Sequence, residues 1–246
     1  MTTTAHQIIL AIDSSDTPLK IAVAGPDGKI ASASSSHIKQ ENHVVKLATR
    51  LLAKSGKNLA AVERVFVLRG PGRFTGIRIG LTVASLLSEL NGAQVTAATV
   101  PEALAEETAQ TPEFAKWFEQ NPSGLLAAIT YAFREEFFCQ LFELSKGKPR
   151  PAQEPRWLSA VEMKTYLAEQ KEPIYCAGWA ANRSTLAPWL PGNCLAAPPT
   201  AKGILPKTLI AMARTAKTLK TPPAPLYLKP ARYELEAARK KLRVYP

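Results

Sequence analysis

Residues 69–80, Arg-Gly-Pro-Gly-Arg-Phe-Thr-Gly-Ile-Arg-Ile-Gly, combine a glycine turn, two cations and the start of a helix. Gly70, Pro71 and Gly72 supply the tight turn. Thr75 stands as an N-cap, with Phe74 and Ile79 placed as a hydrophobic staple across it. The N–H groups of a helix start attract anions, and Arg73 and Arg78 add formal charge. Two readings stay open: a phosphate or carboxylate held by Gly72, Arg73, Thr75 and Arg78, or a plain glycine turn carrying surface arginines. The run is not a G-x-x-x-x-G-K-[ST] phosphate loop, because no Lys-Ser or Lys-Thr follows Gly76. Its glycine spacing also fails the dinucleotide fingerprint. Asp13 and Ser14, ending the first apolar run, complete the candidate anion or nucleotide site. Asp13 has a competing and weightier role, capping its own turn through Ser14 and Ser15.

Catalytic machinery is otherwise missing from the pattern. The three histidines, His6, His37 and His43, form no H-x-x-x-H or H-E-x-x-H pair. There is no G-x-S-x-G elbow, and no histidine adjoins Cys139, Cys176 or Cys194. No metal site and no catalytic residue are therefore expected. The odd cysteine count without metal spacing reads as reduced, mostly buried thiols of a cytosolic protein. His43, beside a helix start, reads as a capping or packing residue.

The elements that must carry these residues follow from periodicity. Apolar runs at 7–12, 19–24, 29–36, 65–68 and 95–100 predict strands, with helices over residues 44–52 and 75–90. The second half repeats the order: strands at 125–130, 136–142 and 156–158, a capping box from Ser159 to Glu162 opening a helix, a strand at 174–177, and a basic helix over 205–220. Three strands, helix, strand, helix, occurring twice, predicts a duplicated two-lobed α/β fold. The proline- and glutamate-rich stretch 101–122 marks the boundary, giving lobes 1–105 and 106–222 and a basic terminal segment 223–246.

The helix after the glycine turn has two stripes. Ile79, Val83, Leu86, Leu87 and Leu90 make one; Gly76, Gly80, Ala84 and Ser88 make the other, four residues apart. Interior glycine costs about 1 kcal/mol against alanine, so the small stripe needs a close neighbour. That neighbour is either the chain's own 44–52 helix or a partner. The expected partner surface comprises Val44, Leu47, Leu51, Gly76, Ile77, Gly80, Ala84, Leu87 and Ser88.

Bulk properties fit a globular protein of 246 residues. No apolar run reaches membrane-spanning length and no secretory signal is legible. The net charge of +11 is concentrated at one end: residues 201–246 hold eleven Lys or Arg against Glu234 and Glu236, a net +9. A basic end suits a polyanion such as tRNA, or is a solvated face. Arg239, Lys240 and Lys241 are the candidate tRNA contacts.

Several motifs together resemble one family. Ile9-Leu-Ala-Ile-Asp13-Ser, Glu41-Asn-His43, Gly70-Pro-Gly-Arg-Phe-Thr-Gly-Ile-Arg-Ile-Gly80, Ala127-Ala-Ile129, Ala177-Gly-Trp179 and Pro225-Leu-Tyr-Leu-Lys229 are similar, in this order, to the bacterial TsaB (YeaZ) family. The resemblance implies an actin/hexokinase/Hsp70-like two-lobed fold. It also implies a non-catalytic subunit of the cytoplasmic complex that forms N6-threonylcarbamoyladenosine beside the tRNA anticodon. Implied partners are a metal-containing catalytic paralogue (TsaD-like), a small ATPase (TsaE-like) and, through the complex, tRNA; a homodimer forms where the paralogue is absent. No cofactor is implied beyond weak ATP or ADP binding at an interface. Two features depart from the family: Arg73 replaces a common Ser, and Ile129-Thr-Tyr-Ala-Phe-Arg134 with Glu135 replaces an Ile-Asp-Ala-Arg pattern and its glycine. The alternative readings are an ATP-dependent small-molecule kinase of the same fold, using Asp13 and Ser14, and a stand-alone basic RNA-binding protein.

Overall fold

The computed structural model describes residues 7–37, 39–145, 147–178, 187–198 and 203–229. The first lobe is a five-stranded sheet built from β1 (Ile9–Asp13), β2 (Leu19–Ala24), β3 (Ile30–Ser35), β4 (Arg64–Leu68) and β5 (Gln94–Ala98), in the order β3-β2-β1-β4-β5. β1, β2 and β3 form an antiparallel meander, and β4 and β5 run parallel to β1. Helices α1 (Val44–Ala53) and α2 (Phe74–Asn91) make the two crossovers that parallel pairing demands.

The second sheet repeats this plan strand for strand. β6 (Leu125–Phe133) and β7 (Glu136–Ser145) are its antiparallel hairpin, and β10 (Ile174–Ala177) and β11 (Cys194–Ala196) its parallel additions. The third strand is split: β8 (Lys148–Pro151) pairs with the far half of β7 and β9 (Arg156–Ser159) with the near half. The order β8-β7-β6-β10-β11 matches β3-β2-β1-β4-β5, so the predicted duplicated, two-lobed actin/hexokinase/Hsp70-like α/β fold is what the chain forms.

Strand alternation distributes the core into three layers. Leu10, Ile12, Val65 and Val67 face α1 and α2 on the outer side of the first sheet. Ile9, Ala11, Phe66 and Leu68 face inward, meeting Leu126, Ala128 and Phe142 of the second sheet across α3 (Val100–Ala109), α4 (Pro112–Gln120) and α6 (Pro206–Thr215). Leu125, Ala127 and Ile129 face α5 (Ala160–Ala168).

Three expectations change. The boundary stretch 101–122 is itself helical, forming most of α3 and α4, with Pro101 and Pro112 in their first turns, where proline costs nothing. A boundary at 105/106 consequently falls inside α3. The basic helix ends at Thr215 rather than Lys220, and α6 packs on β1, β2 and β4 of the first sheet, although it follows the second.

One buried carboxylate holds α6 there. Glu107 Oε2, on α3, accepts from the Leu205 backbone N–H at 2.9 Å and from the Thr208 hydroxyl. It ties the N-cap residue Leu205 and the first-turn Thr208 of α6 to α3. Glu107→Ala leaves those donors buried and unpaired, and hydrogen bonds to charged groups contribute about 1.5–3 kcal/mol each. Thermal unfolding should show a midpoint lower by roughly 6–20 °C, with Glu107→Gln in between.

Candidate functional site

The glycine turn is filled by the chain itself. A Cβ at Gly72 would lie 2.3 Å from the Ser15 carbonyl oxygen, and one at Gly76 would lie 1.9 Å from that of Ser14. Gly80 sits against the Ser14 hydroxyl and Val67. The Arg73 N–H donates to the Ser15 carbonyl at 2.7 Å, and its guanidinium donates to the Thr17 hydroxyl at 2.6 Å. The β1–β2 turn, residues 14–18, thus presses into the start of α2. That is why small residues recur there.

Acidic and carbonyl oxygens dominate this pocket. Asp13 is buried, accepts from the Ser15 N–H (3.2 Å) and hydroxyl (2.6 Å), and pairs with Lys20 at 3.2 Å. Burial pushes the neighbouring Asp16 carboxyl above the ordinary range, against an opposing hydrogen bond from the Thr17 backbone. Helix α2 begins at Phe74 with Arg73 as N-cap, so Thr75 does not cap it and lies exposed. Asp13, Ser14, Gly72, Arg73, Thr75 and Arg78 therefore do not assemble an anion cradle: carbonyls face the glycines, Arg73 is bound to Thr17, and Arg78 lies over the Phe74 ring at 5.4 Å. The turn-capping role of Asp13 is the one built.

The expected partner stripe also turns inward. Val44, Leu47, Leu51, Gly76, Ile77, Gly80, Ala84 and Leu87 are all buried in their own lobe, and Ser88 is half-buried. α1 lies on β2 and β3 while α2 lies on β4 and β5, leaving a groove of about 340 Å³ between the helices. Val44, Val45, Phe74, Ile79, Thr82 and Val83 line it together with Glu41, Thr75 and Arg78, so Val44 alone of the expected partner residues reaches this groove. Phe74 is 53% exposed, and Leu86 (53%) and Leu90 (78%) extend the same apolar strip along α2. The aliphatic stripe, legible at 79, 83, 86 and 90, was the surface one.

The segment after α6 crosses this region. The Leu226 N–H donates to the Arg69 carbonyl at 2.7 Å, and the Leu226 carbonyl lies over Gly70, whose φ of 110° suits glycine alone. Tyr227 stacks on Phe74 at 4.7 Å. Lys229 pairs with Glu136 on the second lobe and lies over the Phe133 and Trp157 rings. Residues 224–229 therefore run across both lobes. Arg239, Lys240 and Lys241 lie outside the described residues, as does Trp179.

The departures at 129–135 form the β6–β7 hairpin, with Arg134 at φ 52° and a register shift between Tyr131 and Phe133. Among the described residues no group of three His, Cys, Asp or Glu can hold a metal, and no helix is long and apolar enough to cross a membrane. His43 occupies the N-cap position of α1 without a side-chain bond and instead stacks on His37 at 4.3 Å.

Known proteins share this arrangement. Residues 31–146 match the family model described as TsaD: tRNA N6-adenosine threonylcarbamoyltransferase. The tRNA threonylcarbamoyladenosine biosynthesis protein TsaB of Bacillus subtilis (strain 168) is 27% identical over 173 residues, which span 69% of this chain and 70% of that protein. The chain is similar to the TsaB (YeaZ) proteins over most of its length. Two crystal structures from Pseudomonas aeruginosa have the same fold. YeaZ superposes with a TM-score of 0.64 at 22% identity, over 90% of this chain and all of YeaZ. An uncharacterized protein similar to peptidase YEAZ superposes with a TM-score of 0.68 at 20% identity, over 91% of this chain and all of that one. The likeness fits the geometry: the glycine motif that carries the resemblance seats α2 on the β1–β2 turn and leaves the outer strip of α2 exposed.

Proposed function

We propose that this chain is the non-catalytic scaffold subunit of the cytoplasmic complex that forms N6-threonylcarbamoyladenosine next to the anticodon of tRNA, and that it docks on a TsaD-like catalytic paralogue. The observation that carries the reading is the pairing of a sealed glycine turn with an open apolar groove between α1 and α2. The first leaves no cradle for a reacting phosphate; the second offers a helical surface to another chain. The paralogue's corresponding helices fill the groove, and a second copy of this chain occupies it when the paralogue is absent. A TsaE-like ATPase joins the assembled pair, any weak ATP or ADP binding sits at the shared interface, and tRNA is met through the complex. The curated relative's name, a biosynthesis protein for this nucleoside, supports the pathway.

Reconstitution tests it. The chain with its paralogue, the ATPase, a threonylcarbamoyl donor and tRNA should form the modified nucleoside, and omission of this chain should abolish formation. The isolated protein should turn over neither ATP nor peptides. Steady ATP hydrolysis by pure protein, lost in Asp13→Ala, would overturn the scaffold reading in favour of the kinase.

A further inference from the structure

The segment Pro225-Leu-Tyr-Leu-Lys229 and the altered hairpin residues 129–135 line no part of the groove, yet the fold brings them together. Lys229 Nζ pairs with Glu136, at the start of β7, and stands over the Phe133 ring at 5.1 Å and the Trp157 ring at 5.3 Å. The Trp157 indole N–H donates to the same Glu136 oxygen at 3.2 Å, which holds the carboxylate and one wall of the seat in place. A carboxylate between two aromatic faces is a receptor for an ammonium group. Here the chain fills it with its own lysine.

The first lobe holds the other end of the segment. The Arg69 guanidinium donates to the Ala224 carbonyl at 3.5 Å, and the Leu226 N–H donates to the Arg69 carbonyl at 2.7 Å. Tyr227 lies between the two anchors. Two residues of extended chain span at most about 7 Å, so a seated Lys229 leaves the Tyr227 backbone little room to move. The Tyr227 ring stacks on Phe74 with 25° between the planes, and Phe74 lines the groove between α1 and α2. Tyr227 itself stands beside the groove and not in it. Within that stack Phe74 stays 53% exposed and Tyr227 42% exposed. A ring that plugged the groove would have buried Phe74; this one enlarges the apolar surface next to it. A flat ring with a polar tip and few rotatable bonds suits a protein–protein contact.

We propose that Tyr227 belongs to the surface that receives the partner chain, and that Lys229, seated by Glu136, Phe133 and Trp157, is its positioning residue. The second lobe thereby takes part in docking through a segment that reaches the first. The partner is the TsaD-like paralogue of the docking reading, on which this rests, and it presents apolar side chains to the Phe74–Tyr227 stack as well as to the groove.

Calorimetric titration of the full chain with the paralogue tests the proposal. Tyr227→Ala should weaken association by about tenfold or more, as loss of an interface aromatic does. Lys229→Gln should weaken it by about threefold to tenfold, and Lys229→Arg, which keeps the charge for the same seat, should retain parental affinity. In a Tyr227→Ala background Lys229→Gln should have no further effect, because a positioning residue acts through the side chain that it places. Circular dichroism checks the fold of each variant, and Glu136→Gln, with the same expectations, replaces Lys229→Gln if that variant does not fold. Parental affinity in folded Tyr227→Ala overturns the proposal and leaves the docking reading standing. Equal losses from Lys229→Gln with and without Tyr227 overturn the positioning role. A parent chain that does not bind the paralogue at all overturns the docking reading and the proposal with it.

Discussion

Gly76→Ala should destabilise the first lobe even though alanine is the better helix former. The added Cβ would sit 1.9 Å from the Ser14 carbonyl oxygen and 3.0 Å from Gln40 Oε1. The first contact is with backbone, so either the start of α2 or the β1–β2 turn must move by about 1 Å to restore an ordinary separation near 3 Å. Neither is free to do so. The turn is tied by Asp13 to Ser15 and Lys20, and the helix start is tied to the turn by the Arg73 N–H. Overpacking of this kind costs about 1–3 kcal/mol and occasionally more, against a gain of about 1 kcal/mol from helix propensity. Gly76→Val, with two further methyl groups and poorer propensity, should cost more still. The urea midpoint should fall for both, in that order, while the exposed helical position Thr82→Ala should leave it unchanged or slightly raised. An unchanged midpoint for Gly76→Ala would mean that α2 is not seated this closely.

Much of this architecture can be read from the residues, and the misses have identifiable physical causes. β2 and β10 were predicted at their observed bounds, because short apolar runs between turn residues admit little else. The stretch 101–122 reads as a lobe boundary from its proline and glutamate content, which hides the two helices it contains. The stronger local signal was Thr99 with Glu102, and Thr111 before Pro112: both threonines cap, and both prolines fall in a first turn. Thr75 was misplaced because α2 starts one residue earlier, where a carbonyl 58 positions upstream in the chain receives the Arg73 N–H. No local pattern contains that contact. The two stripes of α2 were both visible, but periodicity cannot say which faces inward. α2 buries Ile77, Leu81 and Leu87 together with Gly76, Gly80 and Ala84, and leaves Leu86 and Leu90 outside. Glu107 carried no signal at all, since its partners Leu205 and Thr208 lie about a hundred residues away.

That division of α2 into a buried and an exposed face decides which substitutions report on assembly. Ala84 is wholly buried, so Ala84→Arg would disrupt the lobe and say nothing about a partner. Leu86 is 53% exposed on the outer strip of α2 and belongs to none of the three core layers. Leu86→Arg should therefore leave the monomer's unfolding midpoint within about 0.5 kcal/mol of the parent, as surface changes do. In a docked pair the same side chain would put an unpaired guanidinium into an apolar helix–helix contact. Central interface residues contribute 2 kcal/mol or more on truncation, and an uncompensated buried charge adds to that. Association with the TsaD-like paralogue should weaken by about 30-fold to 1,000-fold, which is roughly 2–4 kcal/mol, as read by sedimentation or calorimetric titration. Val83→Arg, on the same strip where it borders the groove, should act likewise, though with some loss of stability because Val83 is half-buried. Glu143→Arg, on the exposed part of β7 in the other lobe, introduces an arginine away from the groove and should leave assembly untouched. Undiminished affinity in Leu86→Arg with a folded monomer would move the docking surface off α2, and the scaffold role would then need a different face.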